Sequence, residues 1–176
     1  LESVWPVHGS VLMLDGLAYA SAGRSTYLDG GIFLYAIDPA TGRVVHKHQE
    51  LGPYEDHTKG FGHSYWSEGA RNDVLVSDGE YIYIMQLRFD KKLKPDLAKT
   101  ISLLGDRKMG RHIFSTAGFL DDEWYNRTFW MYSNIWPGYY LANQASKSGQ
   151  LLVFDKTATY GIKTFWTRNR HSPMFF

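Results

Sequence analysis

"VLMLDGLAYASAGRSTYLDGGIFLYAIDPATGRVVHKHQE", residues 11 to 50, alternates strand-like runs with turn residues. The first two runs, Val11 to Leu14 and Leu17 to Ala20, flank Asp15-Gly16, a pair that tolerates positive φ at both central positions of a tight hairpin. "GIFLYAI" then enters the turn Asp38-Pro39-Ala40-Thr41-Gly42, where proline presets φ and glycine supplies a left-handed exit, and an alternating run leaves it. The order is strand, tight turn, strand, long loop, strand, tight turn, strand. It predicts an antiparallel unit of up to four strands, which cannot bury both faces alone and must stack with others like it.

The rest of the chain repeats the pattern. "VLVSDGEYIYI" (Val74 to Ile84) is a second Asp-Gly hairpin, read here without third and fourth strands. A third group runs "HIFSTAGFL" (112 to 120), "RTFWMYS" (127 to 133), "GQLLVFD" (149 to 155) and "YGIKTFW" (160 to 166). Only "PDLAKTISLL" (Pro95 to Leu104) has helix-like spacing, and it is short enough for a single turn or a loop. The expected fold is all-β, a single segment over residues 1–176 with units at about 8–50, 72–93 and 111–168 and a further one starting at 169–176.

Composition narrows the function classes. The 176 residues, 44% hydrophobic and 16% aromatic, supply a core. A formal charge of +1 with no long like-charged run leaves no footprint for a phosphate backbone, so nucleic acid is not an expected partner. No segment approaches the ~18 consecutive apolar residues of a membrane span, and the N-terminus lacks a signal-peptide layout. Cysteine is absent, which removes disulfides, thiolate zinc sites and cysteine nucleophiles. A start at Leu1 and an apolar end, "HSPMFF", suggest a piece of a longer protein.

At "LYAIDPATGRVV" the chain resembles the repeat of the PQQ-like β-propellers, the group of quinoprotein alcohol dehydrogenases and non-enzymatic outer-membrane assembly lipoproteins, whose blades carry Ala-x-Asp-x-x-Thr-Gly-x-x-x-Trp. Ala36, Asp38, Thr41 and Gly42 match in register, and His46 stands at the tryptophan position. "LLVFDKTATYGIKTFW" is a looser copy that keeps Asp155 and ends on Trp166. The wider run is similar to large uncharacterised PQQ-like repeat proteins of environmental bacteria. The resemblance implies a partial β-propeller of about three to four antiparallel blades, part of a ring of about 7–8. It also implies a periplasmic or extracellular location.

In such a blade, turns after the first and third strands share one end, and those after the second and fourth share the other. Asp15-Gly16, Asp38 to Gly42, Asp78-Gly79, Asp121 to Asn126 and Asp155 to Thr159 fall at the first end and are short. "AGRSTYLDGG" (22 to 31), Leu51 to Asn72, Lys91 to Arg111 and Asn134 to Ser148 fall at the second and are long. Loops beyond ~12–15 residues are usually functional or disordered, and aromatic content argues against disorder. The expected ligand face therefore carries Arg24, Tyr27, Asp29, Asp56, His57, His63, Trp66, Glu68, Arg71, Arg107, Arg111, Trp136 and Tyr139, with Tyr54 and Glu55 beside them.

Smaller constellations point the same way or to plain structure. His46 and His48 share one face of an alternating strand, but two ligands without a third make no metal site, and a solvated outer strand is preferred. "EDHTKGFGH" offers Asp56, His57 and His63 for acid/base chemistry, or for the loop's own backbone. "GDRKMGRH" suits a carboxylate or phosphate, or salt bridges to acidic loops. "DDEWYNRT" falls at the short-turn end and reads as a solvated turn. The leading expectation is a binding or scaffold module for a small molecule, glycan or protein, held with the remaining blades of its ring and without metal or cofactor. The alternative is an enzyme, either a quinoprotein-type dehydrogenase with PQQ and calcium, or a hydrolase using Asp56, His57 and His63. The lack of a vicinal cysteine pair, and His46 at the tryptophan position, count against quinone chemistry.

Overall fold

The computed structural model describes residues 3–52, 70–85, 87–96, 112–115, 130–133, 148–149, 151–167 and 170–175. Among the described residues every regular element is a β-strand, and every strand pairing is antiparallel. The chain divides into two compact units, one holding the described residues up to Asp96 and the other those from His112 onward.

The first unit begins with β1 (Leu12–Leu14), β2 (Leu17–Ala22), β3 (Ile32–Ile37) and β4 (Val44–Glu50), paired in sequence order as one sheet. Leu14 pairs with Leu17, so Asp15 and Gly16 alone make the first turn, with φ of 49° and 79°. Between β3 and β4, Asp38 holds its own turn together. Its carboxylate accepts from the Thr41 hydroxyl at 2.7 Å and the Ala40 amide at 3.0 Å, and Gly42 exits at φ 71°. Those two bonds, led by the hydroxyl, draw the Asp38 carboxyl below its usual range.

A second sheet consists of β5 (Val76–Ser77), β6 (Ile82–Ile84) and β7 (Leu87–Phe89). Its hairpin at Asp78-Gly79 is real but wider than the Asp15-Gly16 turn: Ser77 pairs with Ile82, so the loop runs from Asp78 to Tyr81, with Asp78 Oδ1 accepting from the Glu80 and Tyr81 amides. The sequence reading left this unit without a third strand, and β7 corrects it. Ile84 pairs with Leu87 across a turn at Met85, whose φ of 50° no sequence signal announces. Beyond β7 the chain turns tightly over Asp90–Lys94, and Pro95 bridges back to Phe89. Pro95 thus lies in an extended pairing, and Asp96 N donates to Arg88 O at 3.0 Å; residues 97–104 of the run fall outside the described residues.

Period-two alternation decides which residues reach the core. Tyr19, Ile32, Leu34 and Ala36 on the first sheet join Ile82, Ile84, Leu87 and Phe89 on the second, with Ala70, Leu75 and Leu93, in one buried cluster. Each large apolar side chain buried there contributes about 1.5–3 kcal/mol. Tyr83 and Arg88 are cross-strand partners on the opposite face of the second sheet and are also buried, at 1% and 9% exposure. Strands β6 and β7 are therefore buried on both faces, while β5 is half-buried.

The second unit contains β8 (His112–Ser115), β9 (Trp130–Ser133) and β10 (Ser148–Gly149) in the order β10-β9-β8. It also contains β11 (Leu151–Phe154), β12 (Thr159–Thr167) and β13 (Arg170–Phe175) in the order β11-β12-β13. The run "GQLLVFD" is shared between these sheets, Gly149 pairing with Trp130 and Leu151 with Ile162. Arg170–Phe175 pairs along β12. Tyr132 and Phe154 stack with ring centroids 5.6 Å apart.

Candidate functional site

The loop from Gly23 to Gly31 is an ordered structure fastened at one end of the first sheet. Gly23 (φ 123°) and Gly31 (φ 91°) close its base, where a Cβ on Gly23 would come within 2.6 Å of the Gly31 carbonyl oxygen. Only glycine allows this crossing. Inside the loop, Leu28 N donates to Ser25 O and Gly31 N to Leu28 O.

Residues 70–72 lie alongside as a short antiparallel ribbon. Ser25 bridges Arg71, Thr26 N donates to Ala70 O at 2.9 Å, Ala70 N to Thr26 Oγ1 at 3.1 Å, and Asn72 N to Arg24 O at 3.0 Å. Gly52 N adds a bond to Thr26 O at 2.8 Å. Asn72 is the buried latch: Nδ2 donates to Gly23 O at 2.8 Å and Pro6 O at 3.0 Å, and Oδ1 accepts from the Ser21 hydroxyl at 2.5 Å.

Four of the expected face residues are thereby gathered. Arg24 and Asp29 form an ion pair, Nη2 to Oδ2 at 2.5 Å with Nε at 3.2 Å, so they brace the loop as well as lying on its surface. The Tyr27 ring lies over Gly52, where a Cβ would meet it at 2.5 Å. Arg71 is half-buried, and its amide donates to Met85 Sδ at 3.2 Å. Asp56, His57, His63, Trp66, Glu68, Arg107, Arg111, Trp136 and Tyr139, with Tyr54 and Glu55, lie outside the described residues.

The opposite end carries the tight turns, and one stretch changes ends. Lys91 Nζ pairs with Asp15 Oδ2 at 2.5 Å, and the Tyr19 hydroxyl donates to Lys91 O at 2.9 Å. The hydrogen bond to Asp15 raises the Lys91 pKa; burial, then the Asp15 charge, raises that of Tyr19. Lys91, expected with the long loops, thus sits beside Asp15-Gly16, because β7 adds the strand that reverses the parity. Asp90 caps this turn through the Lys92 and Lys94 amides.

Two further placements differ from the sequence reading. His46 and His48 pair with Ala36 and Leu34, so they share the inner face of β4 and are half-buried. His48 Nε2 lies 2.7 Å from the buried Glu50 carboxylate, and its ring 5.3 Å from that of Phe89. Among the described residues no group of three or more His, Cys, Asp and Glu is placed to hold a metal. Trp5 was not singled out in the sequence, yet its indole N–H donates to Asp29 O at 2.8 Å, and its ring meets Phe33 edge-on at 6.0 Å. Nothing local marks Trp5 or Asn72, since both act over long sequence separations.

Comparison with protein-family models, curated proteins and solved structures finds no match to this chain. The site is therefore read from its chemistry: an exposed, glycine-gated loop locked by backbone bonds, offering charged, aromatic and hydrogen-bonding groups.

Proposed function

We propose that the chain is a segment of a PQQ-like β-propeller that works as a binding or scaffold module through its long-loop end, without catalysis. About three to four blades of a ring of about 7–8 would stack, and the loop end would take a small molecule, glycan or protein in the periplasm or outside the cell. The observation that carries this reading is the fastening of Gly23–Gly31 to Ala70–Asn72 and Gly52, a rigid platform at one end of a sheet. Rigid loops on a packed scaffold are where binding energy is least spent on ordering. The stacking half of the reading draws support from β6 and β7 of the second sheet, which are buried on both faces as the strands of a middle blade are. The test is array screening of the chain against glycans, peptides and small molecules, followed by a variant with Arg24, His57 and Arg71 all replaced by alanine. Loss of retention is expected; unchanged retention counts against this face.

A further inference from the structure

We infer that Trp5 and the Arg24–Asp29 pair form a subsite for a neutral glycan, taking one pyranose ring; this rests on the binding-module reading and names its ligand class. Trp5 is 47% exposed, although its one polar atom is already donated to Asp29 O. What the indole still offers a ligand is an apolar ring surface, the kind on which the C–H face of a pyranose stacks. Phe33, edge-on beneath it, and the bond to Asp29 fix its orientation.

The polar half of the subsite adjoins through the same residue. The Arg24–Asp29 bond uses Oδ2 on one side and Nε and Nη2 on the other, and among the described residues Asp29 Oδ1 and Arg24 Nη1 have no hydrogen-bond partner. The pair therefore presents one carboxylate acceptor beside one guanidinium donor. Adjacent hydroxyls of a sugar meet both, one donating to Oδ1 and the other accepting from Nη1. Charge decides against other ligand classes here. An anion would face the Asp29 carboxylate and a cation the Arg24 guanidinium, whereas a neutral polyol disturbs neither. Gln49 Nε2, donating to Gly30 O at 2.7 Å, holds the loop so that the pair keeps its place.

The experiment is affinity electrophoresis of the full chain in native gels containing hydroxyethyl cellulose, laminarin, mannan or, as the charged comparison, dextran sulfate. Retardation by at least one neutral polysaccharide is expected, unaffected by added salt, because no net charge is neutralised. Trp5→Ala should weaken it at least about tenfold, the size of a lost aromatic stack with its buried area. Trp5→Phe should lie between, and Asp29→Asn should weaken it similarly to Trp5→Ala. Circular dichroism of each variant separates loss of binding from loss of fold, and Trp5→Phe keeps a ring against Phe33. The inference is overturned if no neutral polysaccharide retards the chain, if Trp5→Ala leaves retardation unchanged, or if only dextran sulfate acts and salt removes its effect. Any of these leaves the binding module standing if the array still yields a ligand that the Arg24, His57 and Arg71 variant loses. An array without any ligand sinks both.

Discussion

Replacing Asn72 by alanine tests whether the loop platform is held from beneath. Asn72 is 8% exposed, and its side chain makes three bonds of 3.0 Å or less: to Gly23 O at 2.8 Å, to Pro6 O at 3.0 Å and from Ser21 Oγ at 2.5 Å, with a longer one to Ser21 O at 3.5 Å. Each contributes about 1 kcal/mol net, and the Ser21 hydroxyl, 2% exposed, loses its closest acceptor at a further cost of up to about 1 kcal/mol. The total is about 2–4 kcal/mol. With a urea slope of about 2 kcal/mol per molar, the unfolding midpoint followed by tryptophan fluorescence should fall by about 1–2 M. The Thr26, Gly52 and Asn72 amides, which carry the ribbon bonds, should exchange faster with solvent in the variant. A change below about 0.5 kcal/mol, with those amides as protected as before, would refute the latch.

Three other outcomes are expected. Gly31→Ala adds a Cβ at φ 91° that would overlap the Glu50 carbonyl oxygen, so urea unfolding should show a loss of about 2 kcal/mol or more. Asp38 has a lowered pKa, so its bonds stabilise above the ordinary aspartate value of about 3.9 and are lost as pH falls through the folded value. Asp38→Asn should flatten the acid limb of stability below about pH 4 and leave it unchanged in shape near neutrality, as read by urea midpoints at stepped pH. Adding PQQ with Ca²⁺ should leave no bound chromophore in the absorbance spectrum after desalting, and a retained quinone band would favour the dehydrogenase reading.

Turn chemistry made the fold partly legible in the sequence. Asp15-Gly16 and the Asp38–Gly42 turn form where residue type demands them, because positive φ and side-chain capping are local properties. The long-loop end follows from counting strands, and the bonds among residues 23–31, 52 and 70–72 bring its described parts together. The count went astray at Met85, where a non-glycine residue takes positive φ and its sulfur accepts the Arg71 amide. That contact spans elements, so no window of sequence could announce it. His46 and His48 looked like solvent positions because every residue from His46 to Glu50 is polar, so no apolar side of the run marks the core. Their pairing with Ala36 and Leu34 turns them inward, and register comes from the sheet, not the strand. Trp5 and Asn72 escaped for the same reason: their partners lie 24 and 51 residues away.

The most direct test of the account is chemical-shift mapping of the full chain with whichever ligand the array yields. Perturbed amides should cluster on residues 23–31, 51–52 and 70–72, at the long-loop end. Perturbations concentrated instead on Asp15-Gly16, Asp38–Gly42, Asp78-Gly79 and Asp90–Lys94 would put the ligand at the tight-turn end and contradict it.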